Sequence, residues 1–169
     1  PLIEPLEYKE VKKVREFVIA IDTSASCRGN IVKAFLQETY QILKKSENFF
    51  HKINIHIIQC DASIQSDTVI TNDSDFDDFI KNGKLNGFGA TDFRPVFTYV
   101  DEMLEDGAFE NLKGLIYFTD GYGIYPERMP AYDVVFAFLN EDENREKVPG
   151  WALEVVLEEE ELEDIKEKG

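Results

Sequence analysis

The chain is poor in the residues from which many kinds of site are built. Two cysteines (Cys27, Cys60) and two histidines (His51, His56) stand among 169 residues. Two thiols cannot make a disulfide scaffold, and these two are not at zinc spacing. Neither histidine has a His or Glu partner at metalloprotease spacing, which excludes histidine-based catalysis by this chain. Positive charge is also scarce: 18 Lys and Arg face 34 Asp and Glu, for a formal net charge of −16. That balance excludes a general nucleic-acid binder, whose phosphate contacts need a basic surface, and a docking face for anionic lipid. No apolar run approaches the about 20 residues of a membrane span, and no secretory leader is in view. These absences predict a cytoplasmic protein without a membrane partner. The chain opens at Pro1 and not at a methionine, which predicts a piece of something longer.

What is present fits one ordinary domain: 43% of the residues are hydrophobic, enough for a substantial core at this length. Residues 1–15 mix prolines with charge and read as a lead-in or linker, 16–157 as the domain, and 158–169 as an acidic tail, frayed or briefly helical. The domain is organised around Phe17-Val18-Ile19-Ala20-Ile21-Asp22-Thr23-Ser24-Ala25-Ser26. Five apolar residues, several β-branched, read as a strand buried on both faces. The strand ends in Asp-x-Ser-x-Ser, which sets three oxygen donors at its carboxyl tip, the edge where open α/β sheets bind ligands.

The rest alternates in type. Residues 30–46 carry Ile31, Phe35, Thr39, Ile42 and Leu43 at helical spacing, with Lys44 and Lys45 in the last turn, where cations suit the helix dipole. Residues 53–60 read as a strand. Residues 63–70 read as another, reached by a turn so tight that the two must be antiparallel. Asn72 to Ile80 alternates acids as an EF-hand does, but the sixth position from Asp73 is Asp78 where that loop needs Gly, and the twelfth is Lys84 where it needs Glu. It reads as a helix start capped by Ser74 or Asp75. A second helix follows Gly89, capped by Thr91 or Asp92, with Pro95 in its first turn, a stripe of Phe93, Val96, Phe97, Val100 and Leu104, and Gly107 as its stop. Gly114 to Asp120 is a second apolar run that ends in an acid. Residues 134–139 and 152–157 are the last strands, the final one near an edge because Glu154 interrupts it. The fold class is therefore α/β: a Rossmann-like three-layer sandwich, its six-stranded sheet mostly parallel with one antiparallel strand, and helices on both faces.

Strand tips and helix starts share one rim in such a fold. Asp22, Ser24, Ser26, Thr91 and Asp120 meet there on this reading. Carboxylates and hydroxyls are ligands for a hard divalent cation, Mg2+ above all. Five protein donors leave a six-coordinate ion an open position that accepts a carboxylate from a partner. Asp61 reads as a turn residue and Asp92 as a helix cap. Arg94 reads as the salt-bridge partner of an acid near the rim, Cys27 and Cys60 as buried free thiols, and His56 as a satisfied strand residue. Two other readings stay open. One is a Mg2+-dependent phosphohydrolase with Asp22 as nucleophile, weakened by Ser24 where a general acid is needed. The other is a regulatory domain that needs no metal.

The set Asp22-x-Ser24-x-Ser26, Thr91 and Asp120, each at a predicted strand tip or helix start, resembles the metal-ion-dependent adhesion site of von Willebrand factor A domains. The order of elements from about Glu16 to Leu157 resembles that fold too. Gly89-Ala90-Thr91-Asp92-Phe93-Arg94-Pro95-Val96-Phe97, Gln59-Cys60-Asp61-Ala62 and Phe118-Thr119-Asp120-Gly121-Tyr122-Gly123 look like one bacterial subfamily, found C-terminal to a metallopeptidase-like domain. Ala90 departs from it, where glycine is expected. The resemblance implies a non-catalytic protein-binding domain that uses Mg2+, or Mn2+ or Ca2+. It implies a protein partner that supplies an acidic residue, and by analogy an AAA+ ATPase of the MoxR type.

Overall fold

The computed structural model describes residues 14–23, 29–45, 52–84 and 91–168. Six strands form one sheet: β1 (Val14–Asp22), β2 (Lys52–Cys60), β3 (Ile64–Ile70), β4 (Leu112–Thr119), β5 (Asp133–Leu139) and β6 (Ala152–Leu157). Their order is β3-β2-β1-β4-β5-β6. Every neighbouring pair is parallel except β2 with β3. Among the described residues four helices accompany them: α1 (Gly29–Lys45), α2 (Asp73–Asn82), α3 (Arg94–Glu105) and α4 (Glu159–Lys168).

Period-2 alternation along β1 explains the layers. Val18 and Ala20 enter one core with Val96, Phe97 and Val100 of α3. Ile19 and Ile21 enter the opposite core with Ile31, Phe35 and Leu36 of α1, Phe76 of α2 and Leu162 of α4. The sheet thus lies between α3 on one face and α1, α2 and α4 on the other, the expected three-layer α/β sandwich. Each fully buried aliphatic or Phe side chain contributes about 1.5–3 kcal/mol relative to leaving it in water.

Several boundaries differ from the sequence reading. Val14 and Arg15 belong to β1 and not to the lead-in. The reason lies at Glu16, which is 2% exposed. Its Oε1 accepts the Asn111 N–H at 2.6 Å and its Oε2 accepts Asn54 Nδ2 at 2.8 Å. A polar residue satisfied in this way lets the strand start early. The cap of α2 is neither Ser74 nor Asp75 but Asn72, whose side chain accepts the Asp75 N–H at 2.8 Å. Asp75 reaches back to the N–H and hydroxyl of Thr71, so the two side chains satisfy donors in both directions. Gly107 ends α3 as expected. At φ 79° it donates to the Leu104 carbonyl, and Ala108 donates to Met103, the paired bonds of a Schellman stop. The tail forms α4, anchored by Leu162 at 3% exposure. β6 is an edge strand, with Leu153 and Glu154 exposed.

His56 is a satisfied strand residue, as expected. Its Nδ1 lies 2.8 Å from Asp67, and the Tyr99 hydroxyl donates to the same carboxylate at 2.5 Å. Burial pushes the Asp67 carboxyl up, but the hydrogen bonds from His56 and Tyr99 outweigh that and hold it below its ordinary 3.8. A depressed carboxyl stabilises the fold above its unfolded value and loses that contribution as pH falls through the folded one. Tyr99→Phe is therefore expected to cost about 1.5–3 kcal/mol near neutral pH, the usual range for a hydrogen bond to a charge. Its deficit against wild type should shrink between about pH 5 and about pH 3. Urea unfolding at both ends of that window checks this; a deficit that stays constant refutes it.

Candidate metal centre

Parallel strands bring their carboxyl ends to one rim. Asp22 ends β1, Asp61 follows β2, Asp120 follows β4 and Asn140 follows β5. Ile21 pairs with Phe118, so Asp22 lies level with Thr119, the last residue of β4. Asp22 is 1% exposed. Its Oδ2 accepts the Thr119 hydroxyl at 2.6 Å. The Thr91 hydroxyl lies 3.1 Å from Oδ1 and 3.2 Å from Oδ2. Thr119 Oγ1 accepts in turn from the Gly121 N–H at 3.0 Å. A relay therefore runs from the turn after β4, through Thr119, to the carboxylate of β1.

Asp120 sits beside this relay. Burial pushes its carboxyl above 3.8, and the negative charge of Asp22 pushes it further. The Tyr122 N–H, 3.2 Å away, pulls the other way. Arg145 donates to the Asp120 carbonyl oxygen at 3.3 Å and not to its carboxylate. The rim thus gathers two mutually repelling carboxylates and a threonine hydroxyl, a set of hard oxygen donors whose charge a divalent cation would offset. Among the described residues no group of three or more His, Cys, Asp or Glu converges.

The structure brings Asp22, Thr91 and Asp120 together. Ser24 and Ser26 lie outside the described residues, as do Cys27, His51 and Ala90. Asp61 serves the turn: its Oδ1 accepts the Ser63 N–H at 3.1 Å and Gln65 Nε2 at 3.0 Å. Its carbonyl accepts the Asp92 N–H at 3.2 Å, which ties the loop of Thr91 to β2. The cap expected of Thr91 or Asp92 takes another form. The N-cap of α3 is Phe93, which has no side-chain cap bond. Asp92, one residue earlier, accepts the Arg94 N–H at 3.0 Å. Arg94 pairs with Asp92 at 2.8 Å, the salt bridge expected of it. Cys60 is a buried free thiol, its pKa pushed up to about 12 chiefly by burial.

Thr119 escaped the sequence reading, although one signal was available. It is a hydroxyl at the last position of an otherwise apolar strand, next to an acid, in a strand that could pair with β1. Arg145 gave no signal at all, since it stands in a charged loop.

The strand order is that of a VWA-like fold. The chain belongs to the VWA-like domain family (DUF2201), whose pattern matches residues 17–158. No curated protein matches it in sequence. Among solved structures it is similar to the SpRpn10 VWA domain, with 14% identity and a TM-score of 0.60 over 92% of this chain and 95% of that one. It is also similar to an aerotolerance-related membrane protein from Bacteroides fragilis, with 9% identity and a TM-score of 0.56 over 92% of this chain and 100% of that one. Proximal thread matrix protein 1 from the mussel byssus, with its MIDAS motif occupied by zinc, shares 15% identity and a TM-score of 0.62 over 93% of this chain and 47% of that one. At such identities the likeness is one of fold. Domains of this kind commonly mediate protein interaction and are typically non-catalytic. Among the described residues no helix is long and apolar enough to cross a membrane.

Proposed function

We propose that this domain binds a protein partner through a divalent cation held by Asp22, Ser24, Ser26, Thr91 and Asp120. One observation carries the reading. The Thr91 hydroxyl, 69 residues away in sequence, lies 3.1 Å from the Asp22 carboxylate, beside Asp120, whose carboxylate accepts the Tyr122 N–H while Arg145 takes its carbonyl oxygen. The donor set suits Mg2+, with Mn2+ or Ca2+ as the other oxygen-seeking candidates. The mussel protein's metal-occupied motif supports the same use of this fold. When bound, the cation supplies an open coordination position to a carboxylate.

The chain's own residues do the rest. Thr119 and Thr91 orient Asp22, and the Gly121 N–H orders Thr119. The Tyr122 N–H aims Asp120. Asp22 is almost fully buried, with both oxygens accepting threonine hydroxyls, which supports a holding role over nucleophilic attack. The partner supplies an Asp or Glu. An AAA+ ATPase of the MoxR type, and an N-terminal metallopeptidase-like domain on the same polypeptide in the cytoplasm, are the setting this reading favours.

Titration of Mg2+ by calorimetry into wild type, Thr91→Ala and Asp22→Ala tests it. A saturable heat is expected in wild type, binding at least about tenfold weaker in Thr91→Ala, and none in Asp22→Ala. Equal heats in all three would sink the reading. A MoxR-type ATPase retained on the wild-type domain in Mg2+, and released by EDTA, would extend it to the partner.

A further inference from the structure

Arg145 stands in the loop between β5 and β6, remote in sequence from every candidate ligand. Its guanidinium lies 4.1 Å from the centre of the Phe138 ring. Nη1 donates to the carbonyl oxygen of Asn140 at 3.1 Å and to that of Asp120 at 3.3 Å. A second contact joins the same two loops, from the Tyr122 hydroxyl to the Asp142 carboxylate. Gly121 lies between them at φ 98°. A Cβ on Gly121 would fall 1.9 Å from Arg145 Cδ and 3.0 Å from Phe138 Cε1. The turn after Asp120 is thus shaped to accept the arginine stem.

We infer that Arg145 is a positioning residue for the cation site: it staples the tip of β4, which carries Asp120, to the tip of β5. This rests on the cation-site reading above. The staple is needed because Asp120 and Asp22 repel one another, and a free turn would relax by carrying Asp120 outward. Arg145 opposes that without consuming the ligand. It binds the backbone carbonyl and leaves both carboxylate oxygens of Asp120 to other partners. A planar guanidinium can stack on Phe138 while bridging two carbonyls; an ammonium cannot do both.

Charge and position predict opposite signs. A guanidinium beside a cation site repels the cation, so by charge alone Arg145→Ala would tighten Mg2+ binding. By position, Arg145→Ala weakens it by about tenfold or more, the usual cost of removing a group that orients a ligand. Arg145→Lys, which keeps the charge, weakens it too. Calorimetric Mg2+ titration of wild type and both variants reads this difference. An unchanged or tighter Kd in Arg145→Ala, or full wild-type affinity in Arg145→Lys, overturns the proposal.

A metal-free measurement separates this proposal from the reading beneath it. Amide exchange by NMR should quicken at Gly121 and Tyr122 in Arg145→Ala, while the core amides of Ile19 and Ile21 keep their protection. Unchanged exchange at the turn overturns the staple whatever the metal does. No Mg2+ heat in wild type together with quickened exchange would sink the cation reading and leave the staple standing.

Discussion

Phe136→Ala is expected to lose about 3–5 kcal/mol of unfolding free energy, a large share of the about 5–15 kcal/mol that a domain possesses. Phe136 is fully buried in the middle of β5. Its ring packs against those of Tyr125 at 5.0 Å, Phe93 at 5.4 Å, Tyr117 at 5.7 Å, Phe138 at 6.1 Å and Phe97 at 6.3 Å. Three of those neighbours cannot move in to fill the gap. Tyr117 and Phe138 are held in sheet strands, and Phe97 is held in α3 by Val96 and Val100 on the same core. The cavity therefore stays open, and its cost adds to the lost transfer energy of the ring. The damage reaches the rim as well, because Phe93 follows Thr91 by two residues and packs on Phe136. Urea unfolding followed by circular dichroism measures the loss. Phe136→Leu, which keeps most of the volume, should cost much less. A deficit below about 1 kcal/mol in the alanine variant would mean that the aromatic cluster repacks.

On the proposed cation site, magnesium at about 100 times its Kd is expected to stabilise wild type by about 2.7 kcal/mol, the linkage of a ligand that binds the folded state alone. For a chain of this size that is about 5–10 °C in Tm. Asp22→Ala should show no such rise. The variant also carries a cost of its own. It deprives the Thr119 and Thr91 hydroxyls of their acceptor, worth about 1–3 kcal/mol for a buried donor such as Thr119 left unpaired, and this is partly offset because Asp120 loses a like-charged neighbour. The decisive quantity is therefore the difference between Mg2+ and EDTA within each protein, and not the difference between proteins. Thermal unfolding of both in both buffers supplies it. A rise in Asp22→Ala as large as in wild type would place any bound cation elsewhere.

The architecture was largely legible in the sequence, because its signals are local. Val18 to Ile21 and Val134 to Leu139 are short, uninterrupted and apolar, and each turned out to be covered on both faces. The tight turn at Asp61 allowed only the antiparallel pairing of β3 that is observed. Helix starts were less legible. Ser74, Asp75, Thr91 and Asp92 all have the chemistry of a cap, but which residue caps depends on the backbone angles at the junction, and those follow from how the helix meets the sheet. The start of β1 was obscured by Arg15 and Glu16, because a charged residue reads as exposed until its partners, the Asn54 side chain and the Asn111 N–H, are seen.

That apolar strands end in Asp22 and Asp120 at the carboxyl edge of a mostly parallel sheet follows from the order of residues alone. Periodicity, β-branching and the positions of acids are properties of neighbouring residues. The folded chain alone reveals that Thr91 reaches Asp22 across 69 residues, that Thr119 reaches it across 97, and that Arg145 bonds the carbonyl of Asp120. Those contacts arise from strand register and from loops packed on other loops. No local pattern records them, because a hydroxyl or a guanidinium carries no mark of the carboxylate or carbonyl that a distant segment will bring to it.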